Sequence, residues 1–549
     1  GPQSLPTYTS PWQSKAMDKA DIRAYRAAHR AAARRAVEAG FDIVYVYAAH
    51  TYLLAQFLDP RVNRRTDAYG GTLGNRARLL REVIAETRAA IGSKVALAIR
   101  IEVLNEDESG GEERAELFAS LAPDVDLFDV TVPDYSTEMG SSRFVKEAPL
   151  ESHIAHVRAL TGKPVVAVGR FTSPETMLSQ VKRGIIDLVG AARPSIADPF
   201  LPAKIRDGRF DDIRECIGCN ICYANDGIGV PIRCTQNPTM GEEWRRGWHP
   251  ERVTVANSRD QVLIVGGGPA GLEAAVTLAR RGHQVVLAEQ KGELGGRVSR
   301  ESRLPRLAEW ARVRDWRVQQ IARLTNVEVF KASAMTRDDV LAAGIAHVAV
   351  ATGSQWRGDG LGRSSPVPIA SYADPRTLTP DDIMAGKRPQ GPVIVFDDDH
   401  YYMASTIAEL LAAEGLPVTY VTSAGIVAEW SAHTAEQPRV HRALAAAGVE
   451  IITSHAVSGL SAQAAELTCA FTGKMRMLPC GGFVPVTSRE PVISLFQELA
   501  NAGLKSLTRI GDCRAPGIIA QAVHSGHLFA QTFGTGADDS AFRRDRVVL

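Results

Sequence analysis

Cys216, Cys219, Cys222 and Cys234 fall within 19 residues in the pattern C-x2-C-x2-C-x11-C. Thiols at i, i+3 and i+6 on a tight loop can grip one face of a cubane while the distant fourth closes it, as four thiolates commonly do for an iron–sulfur cluster. Structural zinc is the alternative, but it more often takes its cysteines as two well-separated C-x2-4-C hooks. The spacing therefore points to a 4Fe–4S cluster. Cys469, Cys480 and Cys513 are scattered, and seven is an odd total. This is not a secreted disulfide framework but a metal site plus structural thiols, which sets the expectation of a reducing, cytoplasmic location.

A second chemistry-bearing stretch is QVLIVGGGPAGLEAAVTLARRGHQVVLAEQ from Gln261. Gly266, Gly268 and Gly271 form G-x-G-x-x-G between a strand and a helix, and Glu289 ends the next strand 23 residues after Gly266. That places glycines where a pyrophosphate approaches the backbone and an acid where a ribose hydroxyl is received. A related unit starts at Val393, but after PVIVF it reads DDDHYY at Asp397–Tyr402 in place of a glycine turn. Three carboxylates and two rings there block and repel a pyrophosphate. The first fold is thus expected to hold an adenine nucleotide (ADP, or FAD) and the second to be a degenerate NAD-type fold.

The first part of the chain alternates amphipathic helices with short strands that are apolar throughout. Strands are expected near Phe41–Tyr47, Val95–Ile101, Leu127–Val132, Pro164–Gly169 and Ile185–Gly190. Such strands imply a parallel sheet covered by helices, and the pattern suits a (β/α)8 TIM barrel. Five strands are legible where a barrel needs eight, so the reading is a barrel whose N-terminal strands are missing from this chain. Barrel sites lie at the C-terminal ends of strands. Tyr47 and His50 follow the first strand, Arg100 ends the second, Gly169 and Arg170 end the fourth, and Ala192 and Arg193 follow the fifth. The last two pairs take the seventh and eighth places of a completed barrel, where phosphates often bind.

These elements divide the chain into a partial flavin barrel (1–207), a Cys-, Gly-, Pro- and Trp-rich cluster loop and connector (208–257), an ADP- or FAD-type nucleotide domain (258–388 and 490–549), and an inserted degenerate nucleotide fold (389–489). The 549 residues exceed what one core supports. Lys plus Arg number 63 against 62 Asp plus Glu, a net charge of +1 that offers no field for nucleic acid or an anionic membrane. No apolar run approaches the ~20 residues of a membrane span.

The cluster run RECIGCNICYANDGIGVPIRCTQNPTMGEEW, together with FDIVYVYAAHTYLLAQFLDPRVNRRTDAYGG and the C-terminal GD motif, resembles the trimethylamine, dimethylamine and histamine dehydrogenase family. That resemblance implies an FMN-bearing barrel followed by two nucleotide folds, with Gly169, Arg170, Ala192 and Arg193 around the FMN phosphate and Arg100 against the flavin ring. It places Tyr47, His50 and Glu138 beside the substrate, a set that can tune the protonation of a bound amine. It also implies a homodimer and an electron-transferring flavoprotein as acceptor. The chain departs from the trimethylamine enzyme's aromatic cage. The loop from Asp134 to Gly140 lacks the expected Trp, and Asp226 stands where the cluster loop should carry another. Asp226 is therefore expected to pair with a charged secondary or tertiary amine. Arg143 or Lys146 is expected to hold a carboxylate, which suits an N-methyl amino acid. The expected activity is oxidative N-demethylation. The alternative is an NAD(P)H-dependent ene or 2,4-dienoyl-CoA reductase, which needs the glycine turn that Asp397–Tyr402 replaces.

Overall fold

The computed structural model describes residues 1–7, 11–103, 111–227 and 229–535. The C-terminal end of the expected nucleotide domain, 536–549, lies outside the described residues. The chain forms two compact units, Gly1–Gly140 with Val145–Ala192, and Ser141–Phe144 with Arg193–Leu549.

The first unit opens with the helix Lys19–Glu38. It starts where it does because Asp18 accepts the backbone N–H groups of Ala20 and Asp21, while Asp21 reaches back to the N–H of Asp18. Five strands follow: β1 (Ile43–Ala48), β2 (Ala96–Glu102), β3 (Leu127–Thr131), β4 (Val165–Val168) and β5 (Leu188–Gly190). They pair in that order, all parallel. Leu97, Ile99, Phe128 and Val130 are fully buried, as strands of a helix-covered parallel sheet should be. The helix Arg78–Ile91 packs on β1 and on Lys19–Glu38. The register sets Tyr47 beside Arg100, and Arg100 beside Asp129. Three polar side chains thus leave neighbouring strands at one level. Among the described residues the sheet is open, with β1 and β5 at its edges.

The second unit carries β6 (Gln261–Val265), β7 (Gln284–Ala288), β8 (Val327–Phe330), β9 (His347–Val350), β10 (Ser354–Trp356), β11 (Val393–Asp397), β12 (Val418–Thr422), β13 (Glu450–Ile452), β14 (His455–Leu460), β15 (Ala464–Cys469), β16 (Met475–Pro479), β17 (Gly482–Val486), β18 (Arg489–Pro491) and β19 (Ser506–Arg509). One parallel sheet has the order β19-β9-β6-β7-β8 and another the order β13-β12-β11-β17; β14, β15 and β16 form an antiparallel meander. The chain leaves the first sheet through β10 and returns through β18, and these two strands pair antiparallel. One nucleotide-type fold is therefore nested in the other. In the first, Gly266 has φ +115°, and a Cβ there would lie 2.3 Å from the Ala351 carbonyl oxygen; a Cβ on Gly271 would lie 1.9 Å from the oxygen of Gly266. Only glycine permits that turn. No helix among the described residues is long and apolar enough to cross a membrane.

Candidate functional site

At the C-terminal end of β1 the chain turns through two consecutive left-handed residues, His50 (φ 53°) and Thr51 (φ 58°). Non-glycine residues adopt this conformation at a cost, and such strain gathers at functional sites. The following FLDPRVNRRTDAYGG segment fixes the loop, with Asn63 donating to the carbonyls of Phe57 (2.7 Å) and Tyr69 (2.8 Å).

The turn aims His50 into the sheet end, where it is 6% exposed. The Tyr47 hydroxyl lies 2.6 Å from His50 Nδ1, and His50 Nε2 lies 2.8 Å from Glu138 Oε2 and 3.2 Å from Thr131 Oγ1. The arrangement is self-consistent with Tyr47 donating to Nδ1 and Nε2–H donating to the carboxylate. Thr131 also donates to Glu138, and Arg100 grips Glu138 at 2.7 Å and Asp129 at 3.1 Å. Glu138 sits at the end of the short helix Tyr135–Glu138, which Asp134 caps by accepting from the Ser136 N–H. Tyr47, His50, Glu138 and Arg100 thus form one connected chain.

The electrostatics follow from these contacts. Burial pushes the Glu138 carboxyl up, but His50, Arg100 and Thr131 overcome it and hold it at about 2, so the group is anionic. Asp129 goes the other way: burial first and the Glu138 charge second raise it to about 6, against the pull of Arg100. Burial raises the Tyr47 phenol, so it keeps its proton near neutrality. Arg100 Nε is buried without a hydrogen-bond partner.

Four residues that the sequence reading passed over belong here. Asp129 and Thr131 complete the network. Tyr135 meets the His50 ring edge-on at 5.1 Å, and Tyr52 meets Tyr47 at 5.3 Å. Tyr135 and Tyr52 are 46% and 61% exposed, so π faces border the Tyr47–His50 pair despite the missing Trp. The other expected flavin contacts lie at successive strand ends. Gly169 closes β4, where an added Cβ would come 3.0 Å from Ala148 Cα. Arg170 follows in the left-handed region (φ 51°) and donates to the Val145 carbonyl at 2.8 Å. Ala192 is exposed after β5.

In the second unit Arg193 donates to Asn220 at 2.5 Å. Asp226 is exposed near the end of the helix Ile221–Gly227. Arg143 does not take the role its charge suggested. It is 3% exposed, lies 3.7 Å from Glu436, and donates to Ser405 and Thr406. Its carboxylate partner is supplied by the protein, from nearly 300 residues downstream. Lys146, in the first unit, is exposed.

The cysteine loop is built as a clamp. Gln236 Nε2 donates to the Glu215 carbonyl, tying the segment before Cys216 to the segment after Cys234. Arg317, fully buried and paired with Glu273 at 2.8 Å, donates to Gln236 Oε1 and to its carbonyl. Backbone N–H groups of Gly218 and Gln236 point at the sulfurs of Cys216 and Cys234, contacts that tune iron–sulfur ligands. Burial, with the other thiols adding, pushes Cys219, Cys222 and Cys234 up to about 12. Ionising these thiols together in such a pocket costs free energy that a bound cation must repay.

At the nucleotide turn, Glu289 accepts from the backbone N–H groups of Gly267 (2.8 Å) and Lys291 (2.9 Å), which fixes its carboxylate beside the glycines. A Cβ on Gly268 would meet nothing within 4 Å. That open space at the start of the helix Pro269–Arg280 fits an approaching phosphate. Gly268→Ala is therefore expected to leave the melting temperature unchanged while lowering the adenine nucleotide retained on purification. Full retention would place the nucleotide elsewhere. After β11 the space is filled instead: Asp397 and Asp398 are fully buried, and Tyr402 donates to Glu301 at 2.8 Å.

A parallel flavoprotein-type sheet, a cysteine clamp and two nested nucleotide folds define a multidomain flavin oxidoreductase. Residues 3–212 match the NADH:flavin oxidoreductase / NADH oxidase family, 261–352 the FAD dependent oxidoreductases, and 378–490 the OYE-like second alpha/beta domain. The chain is 40% identical over 545 residues to dimethylamine dehydrogenase of Hyphomicrobium sp. (strain x), covering 91% of this chain and 73% of that protein. It superposes on histamine dehydrogenase from Rhizobium sp. 4-9 with TM-score 0.95 and 44% identity, over 100% of this chain and 82% of that one. It superposes on 6-hydroxypseudooxynicotine amine oxidase from Pseudomonas geniculata N1 with TM-score 0.94 and 46% identity, over 97% and 82%. The chain belongs to the family of dimethylamine and histamine dehydrogenases, flavoprotein oxidoreductases of the amine dehydrogenase class.

Proposed function

We propose that this protein oxidatively dealkylates a secondary or tertiary amine. The observation that carries this reading is the unbroken chain Tyr47–His50–Glu138–Arg100 at the barrel strand ends. FMN bound there would accept a hydride equivalent from the N-alkyl carbon. The protein's task is the proton. Tyr47 takes it from the substrate nitrogen while passing its own to His50 Nδ1, and the resulting imidazolium is stabilised by the Glu138 carboxylate. The ammonium gives up its N–H proton and then a hydride, two protons and two electrons in all, and water cleaves the resulting iminium to an aldehyde and the shorter amine. Tyr52 and Tyr135 offer π faces to the cationic substrate before that proton leaves. Arg100 is placed to balance negative charge on a reduced flavin ring. Gly169, Arg170, Ala192 and Arg193 would surround the FMN phosphate.

The cysteine clamp favours a 4Fe–4S cluster as the next electron carrier, with an electron-transferring flavoprotein as acceptor and a homodimer as the assembly. The first nucleotide fold would hold ADP or FAD through Gly266, Gly268, Gly271 and Glu289. Because Arg143 is buried beside Glu436, it offers an N-methyl amino acid no carboxylate contact, which leaves that role to the exposed Lys146 and favours a simple alkylamine. The filled turn at Asp397–Tyr402 argues against the ene-reductase alternative.

The test is an anaerobic titration of the holoenzyme, following flavin absorbance while dimethylamine, histamine or sarcosine is added and then NADPH. Bleaching by an amine, with sarcosine slower than dimethylamine and NADPH inert, is expected. Bleaching by NADPH alone would overturn the proposal in favour of an ene reductase.

A further inference from the structure

Gln236 is the residue through which the first nucleotide fold grips the clamp. Its backbone N–H donates to Cys234 Sγ at 3.4 Å, and its side-chain amide donates to the carbonyls of Glu215 (3.0 Å) and Arg312 (3.2 Å). Its own two acceptors both go to one guanidinium. Arg317 Nη1 donates to Gln236 Oε1 and Nη2 to the Gln236 carbonyl, each at 3.0 Å. The rigid fork of an arginine thereby fixes the residue whose N–H faces the sulfur.

The charges behind this grip are arranged asymmetrically. Arg317 is fully buried on the helix Arg312–Ala322. Burial works against its charge and Glu273 supports it, and a guanidinium keeps its proton in proteins. Glu273, buried on the helix Pro269–Arg280, receives Arg317 Nε at 2.8 Å. Its other oxygen lies 2.9 Å from His527 Nδ1 and accepts from the Thr277 hydroxyl at 3.1 Å. Burial raises the Glu273 carboxyl, but Arg317 and His527 hold it at about 2, so it is ionised. The positive group thus touches Gln236, while its countercharge sits one group further from Cys234. Burial also keeps water and salt from screening either charge. A buried ion pair alone says little about stability. This one has a direction, with both terminal nitrogens of the arginine spent on a residue that bonds a clamp sulfur.

We propose, on the 4Fe–4S reading of the clamp, that Arg317 is a positioning residue for the electron carrier: it holds the Gln236 N–H on Cys234 and lends positive charge that favours the reduced cluster, while Glu273 offsets part of that charge. Net charge and hydrogen bonds to the sulfurs are what set such potentials. The single electron that a cluster takes from reduced flavin makes it more negative. A nearby cation therefore raises its potential, and a nearby carboxylate lowers it.

The test is a redox titration of the full-length holoenzyme that reads the electron paramagnetic resonance signal of the reduced cluster, with iron content measured on each variant. Arg317→Met is expected to lower the reduced-to-oxidised ratio at a fixed potential by at least about tenfold, a shift of about 59 mV for one electron. Arg317→Lys, which keeps the charge without the fork, should fall between wild type and Arg317→Met. Glu273→Gln keeps the hydrogen-bonding shape and removes the countercharge, so it should shift the ratio upward. Opposite signs for the two sites are the signature, because a pair that served only packing would move the potential in one direction or not at all. An unmoved or raised potential in Arg317→Met, or an unmoved or lowered one in Glu273→Gln, would overturn the proposal. Should Arg317→Met fail to retain iron, Arg317→Lys and Glu273→Gln decide by the same signs. A wild type holding zinc in place of about four irons would remove the cluster reading and this proposal with it, while amine-driven flavin bleaching is judged separately.

Discussion

Glu138→Gln is expected to slow flavin reduction by dimethylamine by about 10²- to 10³-fold in anaerobic stopped-flow measurements, within the range typical of a lost acid–base group. The carboxylate holds three partners at once: His50 Nε2 at 2.8 Å, Arg100 Nη2 at 2.7 Å and the Thr131 hydroxyl. An amide removes the charge that stabilises the imidazolium. It also lets an N–H face His50 Nε2, which favours the other tautomer. Nδ1 then carries the proton and can no longer accept from Tyr47, so the relay breaks at its first link. The same variant has a pH signature. Glu138 is depressed to about 2 in the folded protein from an ordinary 4.5. The stability this contributes is present above about 4.5 and lost as pH falls towards 2. The melting-temperature gap between wild type and Glu138→Gln should therefore be full at pH 7 and shrink across that acidic window. Reduction rates within threefold of wild type would remove Glu138 from the mechanism.

Much of the framework was legible because it rests on local rules. The apolar strands from β1 to β4 read as buried parallel strands. The G-x-G-x-x-G turn is dictated by backbone approaches that exclude a Cβ at Gly266 and Gly271. The site was legible only in part. Tyr47 and His50 share one turn, whereas Asp129 and Thr131 enter through register. Arg100 pairs with Asp129 across two strands, which an acid buried in the apolar LFDVT could have signalled. Tyr135 stands one helical turn before Glu138, and its position follows from the Asp134 cap. Arg143 had no local signal at all. Its partner Glu436 lies in the inserted fold, and a lone arginine near barrel strands looks the same whether it faces a substrate or a buried carboxylate.

Removing one clamp thiol, as in Cys219→Ala, is expected to drop the iron content from about four per chain to near zero. It should also lower turnover with a one-electron acceptor by more than about 10²-fold, while a single anaerobic addition of amine still bleaches the flavin. The reasoning starts from the loop's chemistry. Cys219, Cys222 and Cys234 are held near 12 by burial and by one another, so the apo loop keeps neutral thiols, and metal binding must repay the cost of ionising them. Three thiols cannot enclose a cubane on four corners, and the ties from Gln236 and Arg317 hold the loop too firmly for another donor to move in. Cys219 also packs against the apolar cluster containing Trp310 and Tyr401. The truncation should therefore lower the melting temperature too, and only the pairing of iron loss with intact flavin bleaching separates a lost electron exit from a damaged fold. Metal analysis of the wild type decides the underlying assignment: about four irons with acid-labile sulfide supports the cluster, whereas one zinc per chain would refute it and leave single-electron transfer without a carrier.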